Sequence, residues 1–375
     1  MVSRGQSWRI LPGGMHHHLP RSLSQRALLA LGLLLVSLIT LPAQEPSPSP
    51  EVSPSPAPPP MMKAVRAHSF GGVDVLQFED APRPIPAEDE ILIHVMAAGV
   101  NPVDAAIRSG KFARMLGTQL PVIPGLDVAG VVESVGAKVT HFKPGDAVYA
   151  CLNIHRLGGY AEFAIAKESE ASPKPKGLGF EGAAAMPVAA GTAWQALVEV
   201  ARLAPKQTVL IHGGSGGVGS FAIQIAKARG AKVIATASAG NLDFLKELGA
   251  DQVIDYNATR FEDVARDVDV VLDTVGGDTL ARSYGVVKKG GIIVSLTEPP
   301  DQAQLDAHEI RGLAIMAAPD TNMLGELTKL VEAKKLKPIV TKVYPLAEAA
   351  AAQEAIATHH TRGKIVLRVG EDPKG

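Results

Sequence analysis

The stretch that decides the fold is Val209 to Gly219, VLIHGGSGGVG. Val209 to His212 read as a short buried strand. Phe221, Ala222, Ile223, Ile225 and Ala226 then recur at helical spacing as far as Gly230. Between strand and helix, Gly214, Gly216 and Gly219 fit G-x-G-x-x-G, with Ser215, Gly217 and Val218 filling the pattern. The bare pattern is weak, but in this context it points to a dinucleotide site. One glycine makes the tight turn, one lets the main chain approach a pyrophosphate, and one lets the helix lie close on its strand. The helix N-terminus then offers bare N–H groups and a partial positive charge to the anion. A glycine-rich loop with no ligand is the alternative.

Outward from this loop the texture is alternating strand and helix. Strand-like runs follow at 232–238, 252–255, 268–273, 292–296 and 312–316, with helices at 241–248 and 279–287 between them. Such alternation predicts a parallel sheet with right-handed crossovers. Before the loop, 182–200 is Ala-rich and helical, with a break expected at Gly191. After the sheet come helices around 323–333 and 346–358 and a closing strand at 364–369. Residues 63–180 differ. Short β patterns at 64–70, 91–98, 128–135, 146–151 and 161–166 predict a compact, mostly antiparallel unit. Pro82, Pro84 and Pro86 mark a loop after the first of these. The Asn101-Pro102 turn leads into a short helix.

The second strand of the α/β part indicates which nucleotide is bound. In an NAD site a carboxylate at its end accepts from the ribose 2′-hydroxyl. Here the strand runs into Ser238, Ala239, Gly240 and Asn241, and no carboxylate comes before Asp243. A hydroxyl and an amide without a repelling charge favour NADP(H). Ser238 also suits a helix cap, and the two roles are compatible.

The bulk composition excludes other classes. The chain has 375 residues and a net charge of −1, so no basic surplus points to nucleic acid. Its length suggests two domains with additions. Cys151 is the one cysteine, which excludes an intrachain disulfide and any multi-cysteine zinc site. The histidines show no ligand spacing beyond the His16–His18 run, and no metal is expected.

Residues 1–44 read as a signal peptide or N-terminal anchor. Arg21 and Arg26 precede an apolar run at 27–41 closed by Pro42, too short for a comfortable membrane span. A Pro/Ser-rich linker follows at 45–61. Export to the periplasm or anchoring is the expectation, so the membrane enters only through this segment. Met61 or Met62 would make an ordinary start, and the protein would then be cytoplasmic.

Several separated motifs also match one family in order: AAGVNPVDAAIRSG at 97–110, PVIPGLDVAGVVESVG at 121–136, KPGDAVYA at 143–150, AAAMPVAAGTAWQAL at 183–197, the glycine loop, LGADQVIDY at 248–256 and HTRGKIVL at 360–367. From Met62 to about Val369 the chain resembles the zinc-free quinone oxidoreductase (zeta-crystallin-like) branch of the medium-chain dehydrogenase/reductases. The resemblance implies an α/β fold. A doubly wound Rossmann sheet, 185–319, is inserted into a mostly β, GroES-like catalytic domain formed by 62–184 and 320–375. It implies an active site in the cleft between them, and a homodimer paired through the strand near 312–316. Zinc relatives carry a cysteine in the segment matching Asn101 and a His-Glu pair at the segment matching Leu126-Asp127, and Asn101 and Leu126 cannot serve as thiolate and imidazole ligands.

The resemblance also assigns residues. Asn101 is the expected catalytic donor beside the substrate. Thr192 is expected at the nicotinamide or phosphate end, and Gly276 with Gly277 should leave room for the nicotinamide. Tyr256 is expected at the adenosine 2′-phosphate. Many relatives place a cation near 240–241, where this chain has Gly240 and Asn241, so Lys364, or Arg362 with it, is expected to supply it. Asp104 is expected to brace its loop, and Tyr149 and Tyr160 to be structural.

Chemistry without a metal suits hydride addition to a conjugated system, because fixed hydrogen-bond donors can stabilise the charge that appears on oxygen. The expected activity is NADPH-dependent reduction of a quinone or an α,β-unsaturated carbonyl. The alternative is a non-catalytic NADPH-binding redox sensor or interaction protein.

Overall fold

The computed structural model describes residues 9–10, 60–358 and 360–371. The His16–His18 run, the apolar run at 27–41 and the spacer through residue 59 lie outside them. The α/β part is a parallel sheet with Thr208–Ile211 at its centre. Lys232–Ala237 and then Gln252–Asp255 lie on one side of it. Val268–Asp273, Val287–Ser295 and Arg311–Met316 lie on the other. Val209, Leu210 and Ile211 are fully buried, as expected of a strand covered by helices on both faces. Strand order reverses at Thr208–Ile211, so its C-terminal end flanks the crevice where ligands of such sheets bind. Arg9–Ile10 extends the sheet, pairing in parallel with Ile315 and Met316. The edge expected to be free for a second copy is therefore partly taken.

The second sheet runs Val340–Pro345, Lys364–Arg368, Glu90–Val100, Asp127–Val135, Ala147–Cys151, Ala171–Pro173, and Phe163–Lys167 pairs along Glu90 to His94. All neighbours are antiparallel except Val340–Pro345 and Lys364–Arg368. The chain thus leaves this sheet, builds the parallel one, and returns. Lys364–Arg368 is an interior strand in register with Ala97 to Val100. That register sets Lys364 beside the start of the helix Pro102–Arg108, which follows Asn101.

Two expectations are corrected. The Ala-rich segment is not broken at Gly191. One helix, Phe180–Ala184, ends before Met186, and the next, Pro187–Trp194, starts on a proline and runs through Gly191 into a wider π-helical stretch, Gln195–Val200. Gly191 serves packing instead, since a Cβ there would overlap the Pro319 ring. A strand, Leu76–Pro82, also pairs with Met61–Ala67 before the proline loop. Most of its residues are exposed or half-buried, so it carries no apolar alternation that could announce it. The same holds for Val340–Pro345.

One core cluster runs from Met96 and Tyr149 through the Ala-rich helices to Phe221, Val233 and Leu272. Small side chains let these helices sit close to both sheets. Leu197, Leu203 and Phe221 are fully buried there, each contributing about 1.5–3 kcal/mol of apolar transfer.

Candidate active site

The glycine loop leaves Thr208–Ile211 and enters the helix Gly217–Ala228. The loop is tied down by main-chain bonds, with Gly214 N–H donating to Thr236 O at 2.9 Å and Gly216 N–H to Gly213 O at 3.0 Å. No side chain caps the helix, so its first N–H groups are left to solvent or an anion. Two glycines differ in why they are needed. A Cβ on Gly219 would fall on the Gly213 carbonyl and 2.8 Å from Gly214 Cα, so the fold itself demands glycine there. A Cβ on Gly216 would meet only the Gly213 oxygen, at 3.4 Å. Internal packing therefore does not require glycine at 216, whereas the close approach of a bound pyrophosphate does. An uncapped helix start under a bare loop fits a dinucleotide. His212, just before the turn, is structural: burial pulls its imidazole down to about 3, and its ring nitrogens lie 3.2 Å from Thr236 Oγ1 and 3.1 Å from Ser283 Oγ.

At the end of the second strand, Ser238 Oγ accepts from Asn241 Nδ2 at 3.1 Å. Arg362 reaches the same spot from 121 residues further along. Its Nε donates to Asn241 Oδ1 at 2.9 Å, its Nη2 to Gly240 O at 3.0 Å, and its guanidinium lies 4.8 Å from the Phe244 ring centroid. Tyr256 is half exposed on the neighbouring strand end, its N–H donating to Ala237 O. Ser238, Asn241, Tyr256 and Arg362 thus gather where an adenosine ribose lies in such a sheet. Lys364 does not join them. It is 3% exposed and its ammonium points the other way, into the second sheet.

There it belongs to a buried polar knot. Lys364 Nζ donates to Val100 O at 3.0 Å and to Asn101 Oδ1, and lies 3.5 Å from Asp127 Oδ2. Asn101 Nδ2 donates to Asp127 Oδ2 at 2.9 Å. Asp127 Oδ1 accepts from Val188 N–H at 2.7 Å, holding the start of the helix that carries Thr192. Thr192 itself donates back to Val188 O at 2.6 Å. Asp104 Oδ2 accepts from Asn101 N–H at 2.9 Å and from Tyr160 OH at 3.0 Å. Burial pushes the Asp104 carboxyl up to about 7. Burial also raises Asp127, and Lys364 pulls it back. One ammonium therefore sits beside two buried carboxyl groups, and Asp127 is the one that it pairs with.

Comparison with known proteins places this geometry. The alcohol dehydrogenase GroES-like domain model matches residues 87–176, and the zinc-binding dehydrogenase model matches 248–367. A 2-methylene-furan-3-one reductase of Solanum lycopersicum is 38% identical over 82% of the chain and 79% of its own length. An NADPH-dependent alkenal/one oxidoreductase of Arabidopsis thaliana is 39% identical over 82% and 80%. The solved quinone oxidoreductase of Coxiella burnetii superposes with a TM-score of 0.78 at 36% identity, covering 83% of this chain and all of that one. The chain belongs to the medium-chain dehydrogenase/reductase superfamily. Its relatives are quinone oxidoreductases and alkenal reductases, and it is an oxidoreductase of that family.

Within this superfamily the chain has Asn101 and Leu126 at the segments where zinc relatives are expected to hold their ligands. Among the described residues no group of three or more His, Cys, Asp or Glu side chains could hold an ion. Gly276 and Gly277 lie at the end of Val268–Asp273, both at positive φ, with N–H groups taken by Asp273 and Glu298 at 3.0 and 2.7 Å. Asp127 is the buried partner of Asn101 that sequence reading missed. The sequence names it only within Leu126-Asp127, the segment that matches the His-Glu pair of zinc relatives. Nothing local announces that its two oxygens would join the Asn101 turn, the Thr192 helix and, through the nearby ammonium, the C-terminal strand.

Proposed function

We propose that this protein is an NADPH-dependent, zinc-independent reductase of quinones or α,β-unsaturated carbonyls. The observation that carries the reading is Arg362 on Asn241 and Gly240, at the end of a second strand that lacks a carboxylate. A guanidinium there favours a 2′-phosphate over a free hydroxyl. Bound NADPH would supply the hydride. Gly214, Ser215, Gly216, Gly217, Val218 and Gly219 would hold the pyrophosphate by main-chain N–H groups and the helix start. Ser238, Asn241, Tyr256 and Arg362 would hold the adenosine end, and Thr192 and Gly276 would border the nicotinamide end. Asn101 would face the substrate oxygen. The relatives, an alkenal/one oxidoreductase and a quinone oxidoreductase among them, support both substrate classes.

The test is oxidation of NADPH and of NADH with an enone and with a quinone. Turnover with NADPH well above NADH is expected. Tight NADPH binding with neither substrate reduced would favour a sensor.

We also propose, on family analogy, a homodimer through the edge Arg311–Met316. Arg9–Ile10 occupies part of that edge, so the chain starting at Met61 should dimerise more readily than the full chain. Light scattering on both reads this, and two monomers would end it. Export or anchoring by residues 1–44 is likewise a proposal, checked by mass spectrometry of the mature N-terminus in the native host.

A further inference from the structure

The partners of Asn101 settle the orientation of its side-chain amide. An ammonium offers only donors, so the amide must turn its acceptor, Oδ1, towards Lys364 and its donor, Nδ2, towards Asp127. A flipped amide would set N–H against the ammonium and C=O against Asp127. One of the two N–H bonds of Nδ2 goes to Asp127. The other has no partner among the described residues. The main chain at this point is fixed as well, by Asp104 on Asn101 N–H and by Tyr160 on Asp104. On its other flank, the stem of Lys364 lies against the glycine loop. A Cβ on Gly217 would sit 3.1 Å from Lys364 Cδ, and Gly363 N–H donates to Ser215 O at 2.8 Å. Packed atoms thus run from the loop to the Asn101 amide.

We propose that Lys364 and Asp127 are positioning residues for the reduction. They clamp the Asn101 amide so that its spare N–H is presented to the substrate oxygen that becomes anionic. This rests on the reductase reading. Bound NADPH would give a hydride to the electron-poor carbon, and the double-bond pair would shift through the conjugated system to oxygen. The spare N–H binds that oxygen and keeps its proton, and water then protonates the product. Lys364 touches neither substrate nor the reacting atoms. Its charge keeps the amide from turning, and Asp127 holds the opposite end.

The chain contains five asparagines, so ¹⁵N labelling of their side chains gives five amide signals, and Asn101→Ala assigns one. Lys364→Met should shift the Asn101 signal and lower kcat about 10–100-fold, with the NADPH Kd held within about twofold in direct titration. Asn101→Ala should lower kcat similarly, and the double variant should be no worse than Asn101→Ala alone. Lys364→Arg should restore most of the rate. If Lys364→Met does not fold, Asp127→Asn gives the same reading, because it leaves one acceptor where Asn101 Nδ2 and Val188 N–H each need one. An unmoved Asn101 signal, additive losses, or a defect confined to NADPH affinity would overturn the clamp. A wild-type protein that reduces neither enone nor quinone would end the reductase reading, while the amide signal still decides the clamp.

Discussion

The glycine loop and the Asn101 knot do opposite things with the same chain. The loop lies within eleven consecutive residues and offers bare main-chain N–H groups, with Gly213 and Ser215 to Val218 only half-buried. The knot is built of side chains from four segments, Asn101 with Asp104, Asp127, Tyr160 and Lys364, and it is closed: Asp104, Asp127 and Tyr160 are fully buried. A backbone site depends on which side chains are absent. A side-chain knot depends on every partner being present, because a buried charge without its partner is costly. The two regions should therefore fail differently when mutated.

The sharpest break comes within the loop. Gly219→Ala puts a methyl group on a carbonyl that cannot move cheaply. It should cost about 2–4 kcal/mol of stability and abolish measurable NADPH binding. Gly216→Val should leave stability within about 0.5 kcal/mol, because its Cβ would meet only the Gly213 oxygen, at 3.4 Å, while NADPH affinity falls steeply. Thermal denaturation beside dinucleotide titration separates the two. Equal losses of stability would show that Gly216 is structural.

In the knot the order reverses. Asp127→Ala leaves Lys364 buried without its carboxylate, a loss of about 3–5 kcal/mol. Chemical denaturation measures it, and a loss below about 1 kcal/mol would mean that the pair is effectively hydrated. Arg362→Ala lies on the exposed side of the comparison. NADPH affinity should fall about 10–100-fold, the loss of one charge-assisted contact, and NADH affinity should stay. Parallel losses with both cofactors would place Arg362 elsewhere than at the 2′ position.

The finest test is the pH dependence of stability. The Asp104 carboxyl stands at about 7 in the folded protein, above its ordinary range. The folded state therefore holds this proton more tightly than the unfolded chain does. The stability it contributes is complete below about pH 4 and is lost as pH rises through about 7. His212 works in the opposite sense. Its lowered value means stability present above about 6.5 and lost as pH falls towards about 3. Comparing Asp104→Asn with the parent cancels His212. The variant should lack the decline between pH 4 and 7, which is at most about 1.4 kcal/mol per pH unit. An unchanged slope would show that Asp104 is not the proton holder.

The same contrast explains what could be read from the sequence. The loop, the strand Thr208–Ile211 and the helix after it are contiguous, and local pattern carries them. Ser238 and the missing carboxylate were readable for the same reason. Arg362 and Lys364 were both seen as cations near the tail, but their fates diverge at one pleat. Lys364 is the first residue of an interior strand, while Arg362 stays in the turn before it. No local pattern shows which neighbour that strand will choose, so Lys364 was expected at the cofactor and is found in the knot. Asp127 was illegible because its role is defined wholly by partners 26, 61 and 237 positions away. Gly191 was misread because a glycine in a helical run can stop the helix or admit a neighbour, and only Pro319 shows which.

Arg362 also carries an implication for how this enzyme could change its electron donor. The guanidinium beside Asn241 belongs to the turn before Lys364–Arg368 and is contributed from outside the parallel sheet. A single codon in the tail could thus retune the choice between phosphorylated and unphosphorylated coenzyme while the diphosphate cradle stayed intact. Exchange of short C-terminal segments among relatives would then be a direct route to redirecting which reductant pool the catalyst draws on.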